Sequence, residues 1–267
     1  MITALFSYYK NAKTRYRVHS PFVFEWADNV LDDERYYYAF DRADHLRALL
    51  ADDNNMIRVT DLGAGSRAAN GNERKISQIA KTAVSSERKC DMLFKTIQLY
   101  KPKTMLELGT SLGVSAVVQA LAYTDGHLTT LEGCPNIARV ATKNLMLAQV
   151  KNVTVKVGDF KDTLPNYLAS IDHLDYVFLD GHHAYAPTMQ YFEQCLAKAH
   201  ENSVFVFDDI YWSEEMQQAW NEVKNHPRVT LTIDVFEMGI VFFRKEQKEK
   251  EHFVLVEAWA KIWERYF

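Results

Sequence analysis

The sequence contains few of the residues that mark several protein classes. Its 267 residues include only 10 glycines and 6 prolines, which disfavours a turn-rich all-β fold. Its 3 cysteines are widely separated, so the sequence predicts no disulfide framework and no CxxC motif. The apolar runs fall short of the roughly 18 residues of a membrane-spanning helix, and the first 17 residues show no signal-peptide core. A cytoplasmic protein with no membrane partner is expected.

The charge balance also excludes a class of partner. The chain has 31 Lys and Arg against 35 Asp and Glu, a formal net charge of −4. Non-specific nucleic-acid binding usually requires a clearly basic domain or stripe, so no nucleic-acid partner is expected. Hydrophobic residues make up 48% of the chain, enough for a large core, and this excludes a wholly disordered protein.

From residue 101 onward, apolar runs typical of strands alternate with helical patterns. This alternation predicts βαβ units and a parallel sheet, with candidate strands at residues 104–107, 127–132, 153–157, 175–180 and 203–208. Two further runs, 229–236 and 240–244, predict an antiparallel pair at the edge of the sheet. Residues 86–245 are therefore expected to form an α/β domain.

The segments on either side have different patterns. Ser20 followed by Pro21 is typical of a helix start, and a second helix is expected over residues 43–50, so residues 1–85 are predicted to be a helical extension. Residues 246–267 are predicted to be a charged, solvated connector and an amphipathic helix. The helix would dock on the core of the protein, or alternatively form a homodimer contact, through the apolar residues Leu255, Trp259, Ile262, Trp263 and Tyr266.

Acidic residues stand at or just after the ends of the five candidate parallel strands. Ligands bind at the carboxyl edge of open α/β sheets, so this row predicts a functional site there. Its members are Glu107, Glu132, Asp159, Asp180 and Asp208.

The first of these strands runs into the sequence ELGTSLG, which contains Gly109, Ser111 and Gly113. Small residues at such a turn let the backbone approach a ligand, and the following helix N-terminus offers N–H donors. A dinucleotide site would require G-x-G-x-x-G. Ser111 and Val114 occupy the second and third of those positions, which disfavours a dehydrogenase. Glu132 is placed to accept ribose hydroxyls, with helix capping as the alternative.

These residues resemble the class I S-adenosylmethionine-dependent methyltransferases, specifically their O-methyltransferase-like, catechol-type branch. ELGTSLG matches the family motif D/E-x-G-x-G-x-G with Ser111 in place of the middle glycine. The resemblance covers residues 86–244 and implies a Rossmann-like, mostly parallel seven-stranded sheet with an antiparallel terminal hairpin. It also implies that Glu107 and the loop 109–113 hold the amino acid moiety of S-adenosylmethionine, that Glu132 holds its ribose, and that Asp159 and Phe160 hold its adenine. Core packing is an equal alternative for Phe160.

A rival glycine motif lies upstream, at residues 61–66 (DLGAGS). No second strand ending in an acid follows it within residues 66–90, so we interpret it as a turn and loop. The alternative is a substrate-side lid over residues 63–75, whose basic residues include Arg67, Arg74 and Lys75.

Asp180, Asp208 and Asp209 are expected to converge because they follow neighbouring strands. Carboxylate oxygens suit a hard divalent cation such as Mg²⁺. In the catechol-type enzymes the ligands are an Asp after the fourth strand and an Asp-Asn pair after the fifth, and here Asp209 takes the Asn position. The alternative is that Asp180 and Asp208 act as a base or as caps without a metal.

His182 and His183 are the candidate general bases, because the ordinary pKa of imidazole, near 6.5, suits proton removal at neutral pH. The resemblance favours His183, which stands at the position of the lysine base of the catechol-type enzymes. Otherwise these histidines are loop or surface residues. Tyr211 and Trp212 are expected to line an aromatic acceptor pocket, with core packing equally favoured for Trp212.

The function that the sequence predicts is methyl transfer from S-adenosylmethionine to an oxygen of a small-molecule acceptor, with nitrogen as the second choice. One alternative is aminopropyl transfer on the same scaffold, which would require an acidic polyamine pocket. The other is a non-catalytic protein of this fold that binds a cofactor or a partner.

Overall fold

The computed structural model describes residues 2–60 and 73–266. Two compact units are present, one formed by Met1–Arg35 with Asp175–Phe267 and the other by Tyr36–Leu174. We call them the outer unit and the central unit, after their positions along the sequence. They divide the chain differently from the predicted segments 1–85, 86–245 and 246–267, which remain a prediction.

Ten α-helices lie within the described ranges 2–60 and 73–266. In chain order they are α1 (Ile2–Asn11), α2 (Pro21–Trp26), α3 (Tyr38–Asp52), α4 (Ile76–Ala83), α5 (Glu87–Tyr100), α6 (Val114–Ala122), α7 (Pro135–Leu147), α8 (Phe160–Ala169), α9 (Tyr185–Leu196) and α10 (Glu214–Asn225). The predicted helix start at Ser20 and Pro21 and the predicted helix over 43–50 are confirmed by α2 and α3.

Ten strands lie in the same described part of the chain. They are β1 (Met56–Arg58), β2 (Glu73–Lys75), β3 (Thr104–Leu108), β4 (His127–Glu132), β5 (Val153–Val157), β6 (Leu174–Leu179), β7 (Ala199–Asp208), β8 (Leu231–Asp234), β9 (Met238–Phe242) and β10 (Glu251–Val254). The five predicted parallel strands correspond to β3–β7, and the predicted antiparallel pair corresponds to β8 and β9. The predicted Rossmann-like α/β fold class is confirmed.

In the central unit, β3, β4 and β5 lie side by side and parallel. Four of the five residues of β3 are buried, and nearly every side chain of α6 is buried, as expected for strands covered on both faces. The register places Glu107 beside Thr130 and Glu132 beside Val157. This pairing brings the acids of β3 and β4 to the same end of the parallel strands.

In the outer unit the strand order is β10-β8-β9-β7-β6. β9 is antiparallel to both β7 and β8, whereas β10 is parallel to β8. β10 corrects one prediction, because the charged connector at the start of residues 246–267 was expected to be only solvated. Its last residues instead pair with β8, with Glu251 in register with Leu231.

The C-terminal segment also corrects a prediction. A 3₁₀ helix covers Ala258–Tyr266 and is broken by a non-helical Lys261, whose ammonium donates to the carbonyl of Ala12. Leu255 is buried as predicted, but Trp259, Ile262 and Trp263 are exposed, so docking on the protein's own core is wrong for these three residues.

None of the helices in the described residues has the length and apolar character needed to cross a membrane. The rival glycine motif at residues 61–66, and most of the lid proposed for residues 63–75, lie outside the described residues. On either side of these residues, β1 pairs with β2 in the antiparallel direction, and Ile57 is opposite Arg74.

Candidate cofactor site and acid cluster

The glycine loop, residues 109–113, connects β3 to α6 in a left-handed backbone conformation. Gly109 has φ 101°, Ser111 has φ 47° and Gly113 has φ 86°. The N–H groups of Gly109 and Thr110 donate to the carbonyl of Leu131 at 3.0 and 3.2 Å, so the loop is fastened to the end of β4. A Cβ on Gly113 would meet Ala141 at an ordinary contact distance of 3.4 Å, so it is the positive φ that favours glycine there.

Ser111 stands where the family motif has its middle glycine, and its φ of 47° shows why that position favours glycine. A left-handed conformation costs a residue with a side chain about 1–2 kcal/mol. Its hydroxyl is buried and has no hydrogen-bond partner among the described residues. The substitution therefore keeps the loop geometry at a cost in strain and in an unsatisfied polar group.

Glu132 ends β4 and is joined to the glycine loop. Its Oε2 accepts from the N–H of Ser111 at 3.0 Å, and its Oε1 accepts from the N–H of Cys134 at 2.9 Å. Burial raises the pKa of Glu132, and hydrogen bonds from the backbone N–H groups of Cys134, Ser111 and Gly133 oppose that rise. Each carboxylate oxygen keeps accepting capacity for a further donor, such as a ribose hydroxyl.

Glu107 is completely buried inside β3. Its Oε1 accepts from Ser115 Oγ at 2.7 Å and Gln119 Nε2 at 2.6 Å, and its Oε2 accepts from Thr130 Oγ1 at 2.6 Å. Burial raises the pKa of Glu107 to about 7, against the lowering effect of these hydrogen bonds. The carboxyl group thus ties β3 to α6 and β4 directly beneath the glycine loop.

Ser115, Gln119 and Thr130 are site residues that the sequence prediction missed. Ser115 and Gln119 lie four residues apart on α6, so they face the same side of that helix. A polar pair at this spacing in an otherwise apolar helix was the available signal. Thr130 gave no comparable signal, because threonine is common in strands.

Asp159 and Phe160 begin α8 just after β5. Asp159 caps the helix, since its Oδ1 accepts from the N–H of Lys161 at 2.9 Å. Gly158 before it has φ 144°, and its N–H donates to the carbonyl of Glu132 at 3.0 Å. Phe160 is buried, which favours the core-packing alternative. A role for Asp159 and Phe160 in adenine binding stays a prediction.

The predicted metal and base residues lie in the outer unit. Asp180, His183 and Asp208 each offer one ligand atom, and these three atoms lie within 4.8 Å of one another. Asp208 is buried at the end of β7, while Asp180 and His183 are partly exposed after β6. His183 Nε2 lies 3.5 Å from Asp180 Oδ1. We call these three residues the acid cluster.

Asp209, the third predicted metal ligand, is not a member of the acid cluster. Its Oδ2 lies 4.0 Å from His183 Nε2, at the edge of the acid cluster. Its backbone has φ 50°, its N–H donates to the carbonyl of Glu237 at 2.8 Å, and its carbonyl accepts from Trp212. Asp209 thus forms the turn after β7, and the imidazole of His183 stands closer to Asp180.

The two neighbouring histidines have different surroundings. His182 Nδ1 lies 3.1 Å from the hydroxyl of Tyr191, and its carbonyl accepts from Thr188 Oγ1 at 2.9 Å. These contacts match the loop alternative for His182. His183 faces Asp180 and has its ring 6.1 Å from that of Trp212.

The predicted aromatic pair, Tyr211 and Trp212, is divided between two environments. The hydroxyl of Tyr211 donates to Asp234 Oδ2 at 2.7 Å, and its ring stacks on Phe236 at 5.0 Å. Burial raises the pKa of Tyr211, as does the neighbouring Asp234. Trp212 is exposed, so its core-packing alternative is wrong. Trp212 is thus the aromatic residue that stands beside His183.

Comparison with known proteins gives a family match to the part of the chain that runs from β3 to just after β7. Residues 106–210 match a family model described as a methyltransferase domain. Catechol O-methyltransferase of Bos taurus is 30% identical over 131 residues, which are 47% of this chain and 48% of that protein. The chain thus spans about half the length of that curated relative, and comparable shares of other curated relatives.

Solved structures share the fold. The O-methyltransferase from Bacillus cereus in complex with SAH has a TM-score of 0.55 and 17% identity, and covers 82% of this chain and 96% of its own. The O-methyltransferase TomG from Streptomyces achromogenes, in complex with SAM, has a TM-score of 0.52 and 22% identity. The match covers 60% of this chain and 82% of TomG. These structures show the fold, and the family model together with the catechol O-methyltransferase relatives confirms the resemblance to class I S-adenosylmethionine-dependent O-methyltransferases.

Proposed function

We propose that this class I methyltransferase-like chain binds S-adenosylmethionine and transfers its methyl group to an oxygen of a small-molecule acceptor. The observation that carries the proposal is the hydrogen bond that joins the left-handed glycine loop to Glu132 through the N–H of Ser111. It holds an open turn of small residues, a helix N-terminus and a carboxylate in one arrangement. The bovine relative and the two solved structures described above are O-methyltransferases by name, which supports oxygen as the acceptor atom.

The residues present fit the cofactor. Gly109 and Gly113 carry no side chain and have positive φ angles, so a ligand can approach the loop backbone closely at these two positions. The N-terminus of α6 offers N–H groups for the carboxylate of the cofactor, and Glu132 offers acceptors for its ribose hydroxyls. In this proposal Glu107 holds the loop in position through Ser115, Gln119 and Thr130, and any contact it makes with the amino group of the cofactor is secondary.

The acid cluster fits a divalent cation. Two carboxylates and one imidazole are a mixed oxygen and nitrogen set, which suits Mn²⁺ as well as the Mg²⁺ expected from carboxylates alone. Asp180, Asp208 and His183 would hold the ion, with Asp209 at its edge. A bound cation would lower the pKa of an acceptor hydroxyl and orient it.

The protein's own part in the reaction is alignment and proton removal. The acceptor oxygen attacks the methyl carbon in line with the departing sulfur, so an oxygen–carbon bond forms as the carbon–sulfur bond breaks. The sulfonium becomes a neutral thioether and keeps the electron pair of the broken bond. When the acid cluster holds no cation, the hydroxyl proton passes to His183 Nε2, and Asp180 stabilises the imidazolium that forms. When a cation is bound, His183 is one of its ligands, and the lowered pKa of the hydroxyl takes the place of the base. Holding both reactants in line supplies much of the rate.

Two measurements test the proposal. Calorimetry with S-adenosylhomocysteine should give binding to the wild-type protein and to Asp125→Ala, an exposed acid of the central unit, and much weaker binding to Glu132→Ala. Incubation with labelled S-adenosylmethionine and catechol, the acceptor named for the bovine relative, should then transfer label to oxygen. An absence of cofactor binding would contradict the whole proposal.

The two alternative functions give different results in these assays. Cofactor binding without methyl transfer to any of a panel of catechols, phenols and amines would support the non-catalytic alternative. Transfer to an amine alone would move the acceptor atom from oxygen to nitrogen, and aminopropyl transfer would require decarboxylated cofactor. We also retain the cytoplasm as the expected location of the protein.

A further inference from the structure

The outer unit carries an exposed apolar surface that the proposed function does not use. It is formed by α1 and the 3₁₀ segment Ala258–Tyr266, and we call it the aromatic patch. Its large members are strongly exposed: Phe6 at 72%, Trp259 at 74%, Ile262 at 63% and Trp263 at 53%, with Leu5 at 48%. Exposed tryptophans and phenylalanines in such a group usually mark an interaction surface.

Direct contacts join the two segments that form the aromatic patch. The hydroxyl of Tyr9 donates to the carbonyl of Ala260 at 2.7 Å, and its ring lies 4.9 Å from the ammonium of Lys261. Tyr9 lies one turn after Leu5 and Phe6 on α1, so these three residues share a helix face. The exposed side chains of α1 are therefore neighbours of the exposed side chains around Ala260.

The segments are also anchored to the rest of the outer unit, so the patch is held in place. The hydroxyl of Tyr8 donates to the carbonyl of Leu255, and the N–H and hydroxyl of Thr14 donate to Glu264 Oε2 at 2.8 and 3.0 Å. These bonds turn the acidic group of Glu264 toward Thr14.

Exposed basic residues are frequent in the segments that form the aromatic patch and next to them. Residues 1–24 contain four Lys or Arg and no Asp or Glu. Lys10, Lys13 and Arg17 are exposed, and Lys10 is four residues after Phe6 on the same helix face. Arg265 adds an exposed basic group beside Tyr16, 6.0 Å from the centre of its ring. The fourth basic residue of this stretch, Arg15, is paired with Asp28.

We propose that the aromatic patch and the exposed basic residues of its segments bind the headgroup surface of an anionic lipid bilayer. Tryptophan and phenylalanine side chains favour the boundary between headgroups and acyl chains, and lysine and arginine are attracted to the negative surface of such a membrane. A two-fold dimer through the same patch would bring its own basic side chains close to one another, which is unfavourable. Charge complementarity therefore favours lipid over a second copy.

This proposal departs from the expectation, based on composition, that the protein has no membrane partner. It is independent of the proposed methyl transfer, because no residue of the cofactor site or acid cluster takes part. Peripheral binding of this kind depends on which side chains are exposed on the folded surface. Neither the length of an apolar run nor the net charge of −4 reports that exposure.

Vesicle sedimentation tests the proposal. The full chain should sediment with vesicles of phosphatidylcholine mixed with phosphatidylglycerol, sediment far less with phosphatidylcholine alone, and be released by salt. The triple variant Phe6→Ser, Trp259→Ser, Trp263→Ser should lose binding. The triple variant Lys10→Gln, Lys13→Gln, Arg17→Gln should partition about a hundredfold more weakly onto the anionic vesicles.

The matched control is Tyr38→Ser with Met146→Ser, which removes two exposed apolar side chains of the central unit and should bind vesicles as the wild type does. Circular dichroism and cofactor calorimetry on each variant check that it is folded. Equal binding to neutral and anionic vesicles, or no binding to either, would overturn the proposal. So would light scattering that shows a wild-type dimer and a monomeric aromatic variant, because the patch would then be an interface between copies.

Discussion

The N–H of Ser111 donates to Glu132 Oε2 over 3.0 Å, so the middle residue of the glycine loop is fixed by the acid of the next strand. The two residues are 21 positions apart and meet because β3 and β4 are parallel neighbours. A change at Glu132 should therefore affect both ligand binding and the loop itself.

Glu132→Ala should weaken the binding of S-adenosylhomocysteine by about 1–3 kcal/mol, because hydrogen bonds to a charged acceptor are lost. Glu132→Gln should lose less, since it keeps one acceptor for the backbone N–H groups. Calorimetry measures both affinities, and a thermal melt separates the loss of affinity from a loss of stability. Unchanged affinity in a folded Glu132→Ala variant would exclude this residue from the ribose site.

Ser111→Gly should leave the free energy of unfolding within about 1 kcal/mol of the wild type. Glycine relieves the cost of the left-handed φ but has more entropy to lose on folding. Ser111→Val should destabilise the protein by about 1–3 kcal/mol, because a β-branched side chain is strained at positive φ. Urea unfolding measures both variants, and equal stability of the valine variant would contradict the loop geometry.

Glu107 should make stability fall as the pH rises. Its pKa is near 4.5 when unperturbed and about 7 when folded, so the folded state holds its proton more tightly than the unfolded state. The resulting stability is fully present below pH 4.5 and is lost as the pH rises through 7, at no more than about 1.4 kcal/mol per pH unit. Glu107→Gln removes this titration, so the difference in unfolding free energy between the two proteins should change across that window. A constant difference would show that the carboxyl group does not titrate there.

Divalent cation binding should depend on the acid cluster. Titration with Mn²⁺ should give a site in the wild type that Asp208→Asn and Asp180→Asn each remove, while Asp209→Asn retains part of the affinity because Asp209 lies at the edge of the cluster. Glu201→Gln, on a partly exposed acid of the outer unit that is paired with Lys245, is the control. Full turnover after exhaustive chelation, with no Mn²⁺ bound by the wild type, would leave these acids without a metal.

His183→Ala should lower the methyl-transfer rate by about 10²-fold and leave the affinity for S-adenosylhomocysteine unchanged. His182→Ala is the matched control, because its ring faces Tyr191, and it should keep most of the rate. If His183→Ala loses Mn²⁺ affinity together with rate, His183 acts as a ligand instead of a base. Near-normal rates in both variants would place the base elsewhere.

The sequence by itself predicted the elements that depend on local patterns. The strands β3 and β4 lie where the apolar runs placed them and are buried along most of their length, because burial on both faces requires apolar residues along a whole strand. The glycine loop was recognisable for a similar reason. Its φ angles are set within a few residues, and glycine is the residue that adopts them without strain.

The tertiary structure decided which distant side chains meet. Ser115, Gln119 and Thr130 converge on Glu107, and His183 instead of Asp209 completes the group with Asp180 and Asp208. The same holds for Trp259 and Trp263, whose helical spacing predicted a buried face but whose side chains lie in solvent. Hydrogen bonds, burial and exposure depend on what the folded chain brings to each position, and residue spacing along the sequence does not contain that information.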